Sequence, residues 1–227
     1  MADLSRQEVL VLAAMAMEWR AIRRALAATG NPAQVARCGI ALRHWTPPPP
    51  PHPAFITCGL AGGLRADLPP GTVVVADAVA TEDGEPVACD PRWVAALTAG
   101  ARACGHEPVV GPMLTARRLV VGDARAGWAG KGFAAAEMET ALLIATGAPL
   151  ASLRVIIDAP AAEVSEHWVS PGRAAIDPRR WREAMWLGAR APRYSRLAAR
   201  CLAAGLAVRR SDPYDQEREQ RWLSKSE

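Results

Sequence analysis

Short apolar runs alternate with longer helical stretches along the first 160 residues of the chain. Val9-Leu10-Val11-Leu12-Ala13-Ala14 is apolar without a break, the mark of a strand buried on both faces, and a helix over about 18–28 follows it. Phe55-Ile56-Thr57 is a second such run, leading into a glycine-rich stretch, Cys58-Gly59-Leu60-Ala61-Gly62-Gly63-Leu64, that reads as a turn. Thr72-Val73-Val74-Val75-Ala76 predicts a further strand, and Trp93, Leu97 and Ala101, four residues apart, predict a helix over 91–104. The apolar run Leu119-Val120-Val121, a helix over 138–146 and the strand Leu153-Arg154-Val155-Ile156-Ile157-Asp158 complete the alternation. The pattern predicts an α/β fold: a mixed central sheet, largely buried and flanked by helices.

Two stretches break it. Residues 47–51 are all proline, with Pro53 close behind, which excludes helix and central strand and predicts a stiff extended connection. From 177 onward the chain reads as helical, ending in a polar tail from about 211, and no internal repeat is present. The expected organisation is one α/β domain over 1–173 and a basic helical C-terminal extension with its tail over 174–227.

Composition narrows the class. Of 227 residues, 50% are hydrophobic and 22% charged, so the chain has material for a full core and is not a disordered polymer. No apolar run is long enough to span a bilayer, and the start, Met1-Ala2-Asp3-Leu4-Ser5-Arg6, lacks the apolar core of a signal peptide. Five cysteines without a CxxC spacing point to neither a disulfide frame nor zinc. A cytoplasmic protein is expected. The net charge of +4 invites a nucleic-acid reading, but it is unevenly placed: residues 1–170 carry 14 basic and 16 acidic side chains, residues 171–227 carry 13 and 7. In the tail Arg179, Arg180, Arg182, Arg190, Arg193, Arg196 and Arg200 interleave with Trp181, Met185, Trp186, Leu187, Leu197 and Leu202. Such a basic amphipathic segment suits an anionic membrane surface, its own domain, or a second subunit. Nucleic acid is not expected, because no aromatic-lysine RNA motif accompanies the arginines.

Four features carry candidate chemistry: Met17-Glu18-Trp19, the glycine stretch, Glu137-Met138-Glu139-Thr140, and Asp158. Each falls near the carboxyl end of a predicted strand, where ligands gather in open α/β sheets. Each also has a plain reading. Glu18 suits the first turn of a helix, and Asp158 suits an N-cap. The glycines suit close strand–helix packing. Glu137 and Glu139 are flanked by Ala134-Ala135-Ala136 and Ala141-Leu142-Leu143-Ile144, so they are expected to be partly buried and to need partners.

Together these residues resemble the nucleoside phosphorylase/nucleosidase superfamily, of the purine nucleoside and uridine phosphorylase type. Ala13-Ala14-Met15-Ala16-Met17-Glu18 is similar to the start of the methylthioadenosine/S-adenosylhomocysteine nucleosidases. Glu137-Met138-Glu139 resembles their ribose-holding segment, and Arg154-Val155-Ile156-Ile157-Asp158 the strand bearing the purine-protonating aspartate. Within the superfamily the hopanoid-associated phosphorylases, which act on adenosylhopane, are the nearest likeness.

The resemblance implies cleavage of the N-ribosidic bond of an adenosine-like nucleoside, by phosphorolysis or hydrolysis, through an oxocarbenium-like state. It assigns proton donation to Asp158, in an apolar setting that favours the neutral acid, and water orientation to Glu18. Glu139, Met138 and Glu137 would hold the ribose, with Gly59, Leu60, Ala61 and Gly62 lining the site. No metal or organic cofactor is implied; phosphate is left open as a co-substrate. The partners implied are a nucleoside, which could be lipid-linked, and further copies of the chain. Leu60 stands where related enzymes often carry serine, and Arg125 near where the nucleosidases present an aromatic ring to the purine. A soluble methylthioadenosine/S-adenosylhomocysteine or futalosine-type hydrolase is one alternative. A non-catalytic nucleoside-binding protein of the same fold is another.

Overall fold

The computed structural model describes residues 9–161, Glu163 and a helix over 181–210, with that helix's side chains described from 188 to 209. The expected polar tail and the aromatic and basic side chains before Gly188 lie outside the described residues.

Val9–Ala13 forms β1, buried throughout, and Ala16–Ala28 forms α1. Gln34–Arg37 (β2), Ala54–Gly63 (β3), Val73–Thr81 (β4) and Val87–Ala88 (β5) precede the helix α2, Pro91–Ala103. The start of α2 is fixed by Asp90, whose carboxylate accepts the Arg92 and Trp93 N–H groups, with Pro91 in the first turn. Val109–Thr115 (β6), the short helix α3 (Asp123–Gly130), Ala135–Glu137 (β7), Leu150–Asp158 (β8) and the long helix α4 (Trp181–Arg210) complete the described chain. None of the described helices is long and apolar enough to cross a membrane.

All eight strands join one mixed sheet, ordered β2-β1-β3-β7-β6-β4-β5, with β8 pairing β3 in parallel and β4 antiparallel. Strands β3, β8, β4, β6 and β7 therefore close into a ring, and β1 and β2 extend it beyond β3. Alternate residues of β1 serve two cores. Val9, Val11 and Ala13 pack with α1, α2 and α4, while Leu10 and Leu12 pack with Phe55, Met113, Ala141 and Leu143. Leu197, Ala198, Cys201, Leu202 and Leu206 of α4 belong to the first of these cores. The helices α2 and α4 cross closely: a Cβ on Gly100 would lie 2.2 Å from Gly205 N. Outside this contact face, Arg190, Arg193, Arg196 and Arg200 of α4 are exposed.

Three local expectations are corrected. The glycine stretch is not a turn: residues 54–63 are one continuous strand, Gly62 and Gly63 pairing with β7. Residues 119–121 are irregular chain, and the true neighbouring strand is β6, whose Gly111 and Pro112 masked its pattern. The expected helix over 138–146 is a 3-10 segment that starts only at Thr140, because Glu137 still ends β7.

Candidate active site

At the carboxyl ends of β3, β7 and β8 and the start of α1 lies a cavity of about 450 Å³. Glu18, Leu60, Ala61, Gly62, Glu137, Met138, Glu139 and Asp158 all line it; Gly59 does not. Gly59 serves it from behind, since a Cβ there would lie 2.2 Å from Glu18 Oε1.

Glu18 is delivered by the first turn of α1 and is buried. Its Oε2 accepts the Met15 N–H at 2.8 Å, so the plain helix-start reading is physically present. Its Oε1 accepts the Leu60 N–H at 2.8 Å, which ties α1 to the middle of β3. Burial pushes the Glu18 carboxyl up, while Arg154 and the backbone donors pull it down.

The two glutamates beyond β7 differ in what remains free. Glu137 Oε2 accepts from Arg154 Nη2 at 2.5 Å and from Thr140 Oγ1 at 2.7 Å. Its oxygens also accept the Glu139 and Thr140 N–H groups and the Thr115 hydroxyl. That carboxylate is taken up by the protein. Glu139 has lighter duties: Oε1 accepts the Ala41 N–H at 3.1 Å, and Oε2 accepts Arg154 Nη2 at 3.1 Å. Ala41 makes that bond from a left-handed conformation, φ 54° and ψ 36°, unusual for alanine. Burial raises the Glu139 carboxyl to about 7, with Glu137 and Glu18 adding to the rise and Arg154 opposing it.

Arg154 is the hub, 2% exposed in the middle of β8. Besides the two glutamates, its Nε donates to Ser152 Oγ at 3.3 Å and its Nη1 to Leu60 O at 3.5 Å. Burial works against its charge, but Glu137, Glu139 and Glu18 outweigh burial and hold its pKa above the ordinary value. Ser152 in turn accepts from Thr57 at 2.8 Å, and Thr57 shares a 2.7 Å hydrogen bond with Thr140. The acidic pair therefore stands on a buried network of hydroxyls and one guanidinium. Sequence reasoning gave Arg154, Thr57, Thr115, Thr140 and Ser152 no role. The signal for Arg154 was its position: a lone charge inside an apolar strand needs a buried partner.

At the far end of the cavity the setting differs from expectation. The pairing of β3 with β8 shifts after Ala61, so that Gly62 faces Asp158 rather than Ile157. Asp158 is buried, yet its surroundings are not apolar: Arg125 Nη2 donates to Asp158 Oδ2 in a close ion pair. Arg125 comes from α3, distant in sequence, so local composition could not reveal it. The remaining walls are mostly apolar, including Met15, Ile40, Leu119, Val120, Ala191 and Pro192. Among the described residues no group of His, Cys, Asp and Glu side chains could hold a metal ion.

A family model described as the phosphorylase superfamily matches residues 25–175. Solved structures with similar folds include a futalosine hydrolase mutant of Helicobacter pylori, with 16% identity and a TM-score of 0.64, covering 89% of this chain and 99% of that one. The 5′-methylthioadenosine/S-adenosylhomocysteine nucleosidase of Neisseria meningitidis, in complex with methylthio-immucillin-A, has 18% identity and a TM-score of 0.65 over 87% and 97%. The Helicobacter pylori nucleosidase of the same name is similar at 17% identity and a TM-score of 0.63, over 89% and 98%. No curated protein sequence matches the chain.

Proposed function

The chain belongs to the phosphorylase superfamily of nucleoside-cleaving enzymes, and from that premise we propose that it breaks the N-ribosidic bond of an adenosine-like nucleoside by hydrolysis, releasing the base. One observation carries the choice of water: the Leu60 N–H, a donor that an anion in the cavity could use, is bonded to the Glu18 carboxylate instead. A buried carboxylate at that place repels phosphate and, with burial raising its pKa, is fitted to accept a proton from water. Glu139, held by Arg154 and Ala41 but not saturated, binds the ribose hydroxyls and favours positive charge on the ring. Met138 packs on the sugar, and Glu137 positions Arg154 and Thr140. The base end falls to Asp158 with Arg125. The folds shared with nucleosidases and a futalosine hydrolase support this reading.

The test is to incubate the protein with adenosine, 5′-methylthioadenosine and S-adenosylhomocysteine, with and without phosphate, and to follow free adenine by chromatography. Adenine formed at the same rate in both conditions is expected. Adenine formed only with phosphate rejects hydrolysis. Binding without cleavage of any of them favours a non-catalytic nucleoside-binding role.

A second reading concerns the group on the ribose 5′ carbon. The apolar walls Met15, Ile40, Leu119, Ala191 and Pro192, with Arg190 and Arg193 exposed on either side of the last two, suit an apolar and even lipid-linked substituent such as that of adenosylhopane. It predicts that kcat/KM rises with the length of a 5′-alkylthio chain and that anionic liposomes retain the protein. A flat response to chain length would remove it.

A further inference from the structure

We infer that Arg125 is a catalytic residue, donating a hydrogen bond to the departing base and carrying the negative charge that gathers there as the ribosidic bond breaks. The inference rests on the nucleoside-cleaving reading above. Arg125 is the buried residue of the short surface helix α3, 3% exposed in its side chain, and it forms part of the cavity wall. Two hydrogen bonds hold its plane, Nη1 donating to Gly63 O at 2.6 Å and Nη2 donating to Asp158, and Glu163 Oε1 lies 3.0 Å from Nε as an ion-pair partner. A guanidinium has five N–H donors, so Nη1 and Nη2 each keep a second N–H with no acceptor among the described residues. The pair lies against bare backbone, since a Cβ on Gly62 would come 3.1 Å from Asp158 Oδ1 and 3.7 Å from Arg125 Nη1.

The electrostatics favour this role. A lone Asp158 carboxylate would oppose negative charge growing on the leaving base. The Arg125 guanidinium offsets that charge, and its second N–H groups are donors fixed before the reaction starts. In the reaction the C1′–N bond breaks and its electron pair moves onto the base nitrogen. Water forms the new C1′–O bond and gives its proton to Glu18. The base, hydrogen-bonded to Arg125 with no proton taken from the guanidinium, is then protonated from solvent, to which Glu18 returns its proton. Asp158 acts by positioning Arg125.

The experiment compares adenosine with 6-chloropurine riboside, whose base departs more readily, in the wild type, Arg125→Met and Arg125→Lys. Removing one such donor costs about 100-fold or more in kcat, and that loss is expected for adenosine with Arg125→Met. The 6-chloropurine riboside is expected to lose less than ~10-fold, because a better leaving group needs less help. Arg125→Lys keeps the cation and is expected to fall between, which reads the same dependence should the methionine variant fail to fold. An equal loss for both ribosides, or no loss, overturns the inference while leaving hydrolysis standing. A wild type that cleaves neither overturns the proposed function and this inference with it.

Discussion

Glu18 can occupy its place only because residue 59 is glycine: a Cβ there would lie 2.2 Å from Glu18 Oε1 and 2.5 Å from its carboxyl carbon. Gly59 needs no unusual backbone angle, as it sits inside the extended strand β3. Its smallness serves the neighbour. Gly59→Ala is therefore expected to push the carboxylate off the Leu60 N–H while β3 stays paired. Forced overpacking of this kind costs ~1–3 kcal/mol of stability. Activity should fall well beyond what that loss explains, and kcat measured beside a circular-dichroism melt separates the two effects.

Glu18→Gln tests the same carboxylate without crowding. The amide keeps size and one acceptor oxygen but cannot take a proton from water, so kcat is expected to drop by ~100- to 10,000-fold with little change in KM. Added phosphate should not restore it under the hydrolytic reading. Recovery with phosphate would show that the glutamate's role is to exclude that anion.

Glu139 offers a pH test. Its carboxyl is raised to about 7 by burial, against an ordinary value of 4.5. Between those values the folded protein holds a proton that the unfolded chain has released, so stability from this group is present below about 4.5 and is lost as pH rises to about 7. Glu139→Gln cannot titrate. Thermal melts of both proteins from pH 5 to 8 should show the variant gaining on the wild type as pH rises. A constant difference across that range would mean the carboxyl is not raised.

The elements that could be read from sequence were those whose signal is local. β1 announced itself through an unbroken apolar run and α2 through four-residue spacing, and Glu18, Glu139 and Asp158 stood out as charges beside apolar runs. What escaped depends on contacts between distant segments. Arg125 reaches Asp158 across 33 positions, and Thr57 reaches Ser152 across 95. The glycine stretch read as a turn because its need for glycine arises from Glu18 and Asp158 pressing on β3, not from its own backbone. β6 was hidden by Gly111 and Pro112, residues that weaken a strand's pattern without preventing it.

Arg154 sets the energetic stake of the site. Its guanidinium answers Glu137 and Glu139 at once, and all three side chains are buried. Removing one partner of a buried pair costs ~3–5 kcal/mol because a charge is stranded. Arg154→Met strands the Glu137 carboxylate, so a loss within that range is expected in urea unfolding. Arg154→Met combined with Glu137→Gln should recover part of it. Lysine is a poor substitute, since one ammonium cannot reproduce contacts to two glutamates, Ser152 and the Leu60 carbonyl together.

The last prediction concerns α4, whose described part closes the core and borders the cavity through Gly188, Ala191 and Pro192. Leu197, Leu202 and Leu206 are at most 7% exposed and pack with β1, β3 and β8. Each buried leucine contributes ~1.5–3 kcal/mol, so the three alone rival the ~5–15 kcal/mol that holds a whole domain folded. A chain ending at Leu187 should accordingly fail to give a cooperative melt. A finer cut is Gly205→Val, because residue 205 already faces Ala96 O at 2.9 Å from where a Cβ would sit. It is expected to pry α4 from α2, lowering the melting temperature and weakening nucleoside binding, while Arg196→Ala on the exposed face changes neither. Equal melting temperatures for the wild type and Gly205→Val would show that the crossing of α2 and α4 does not hold the helix in place.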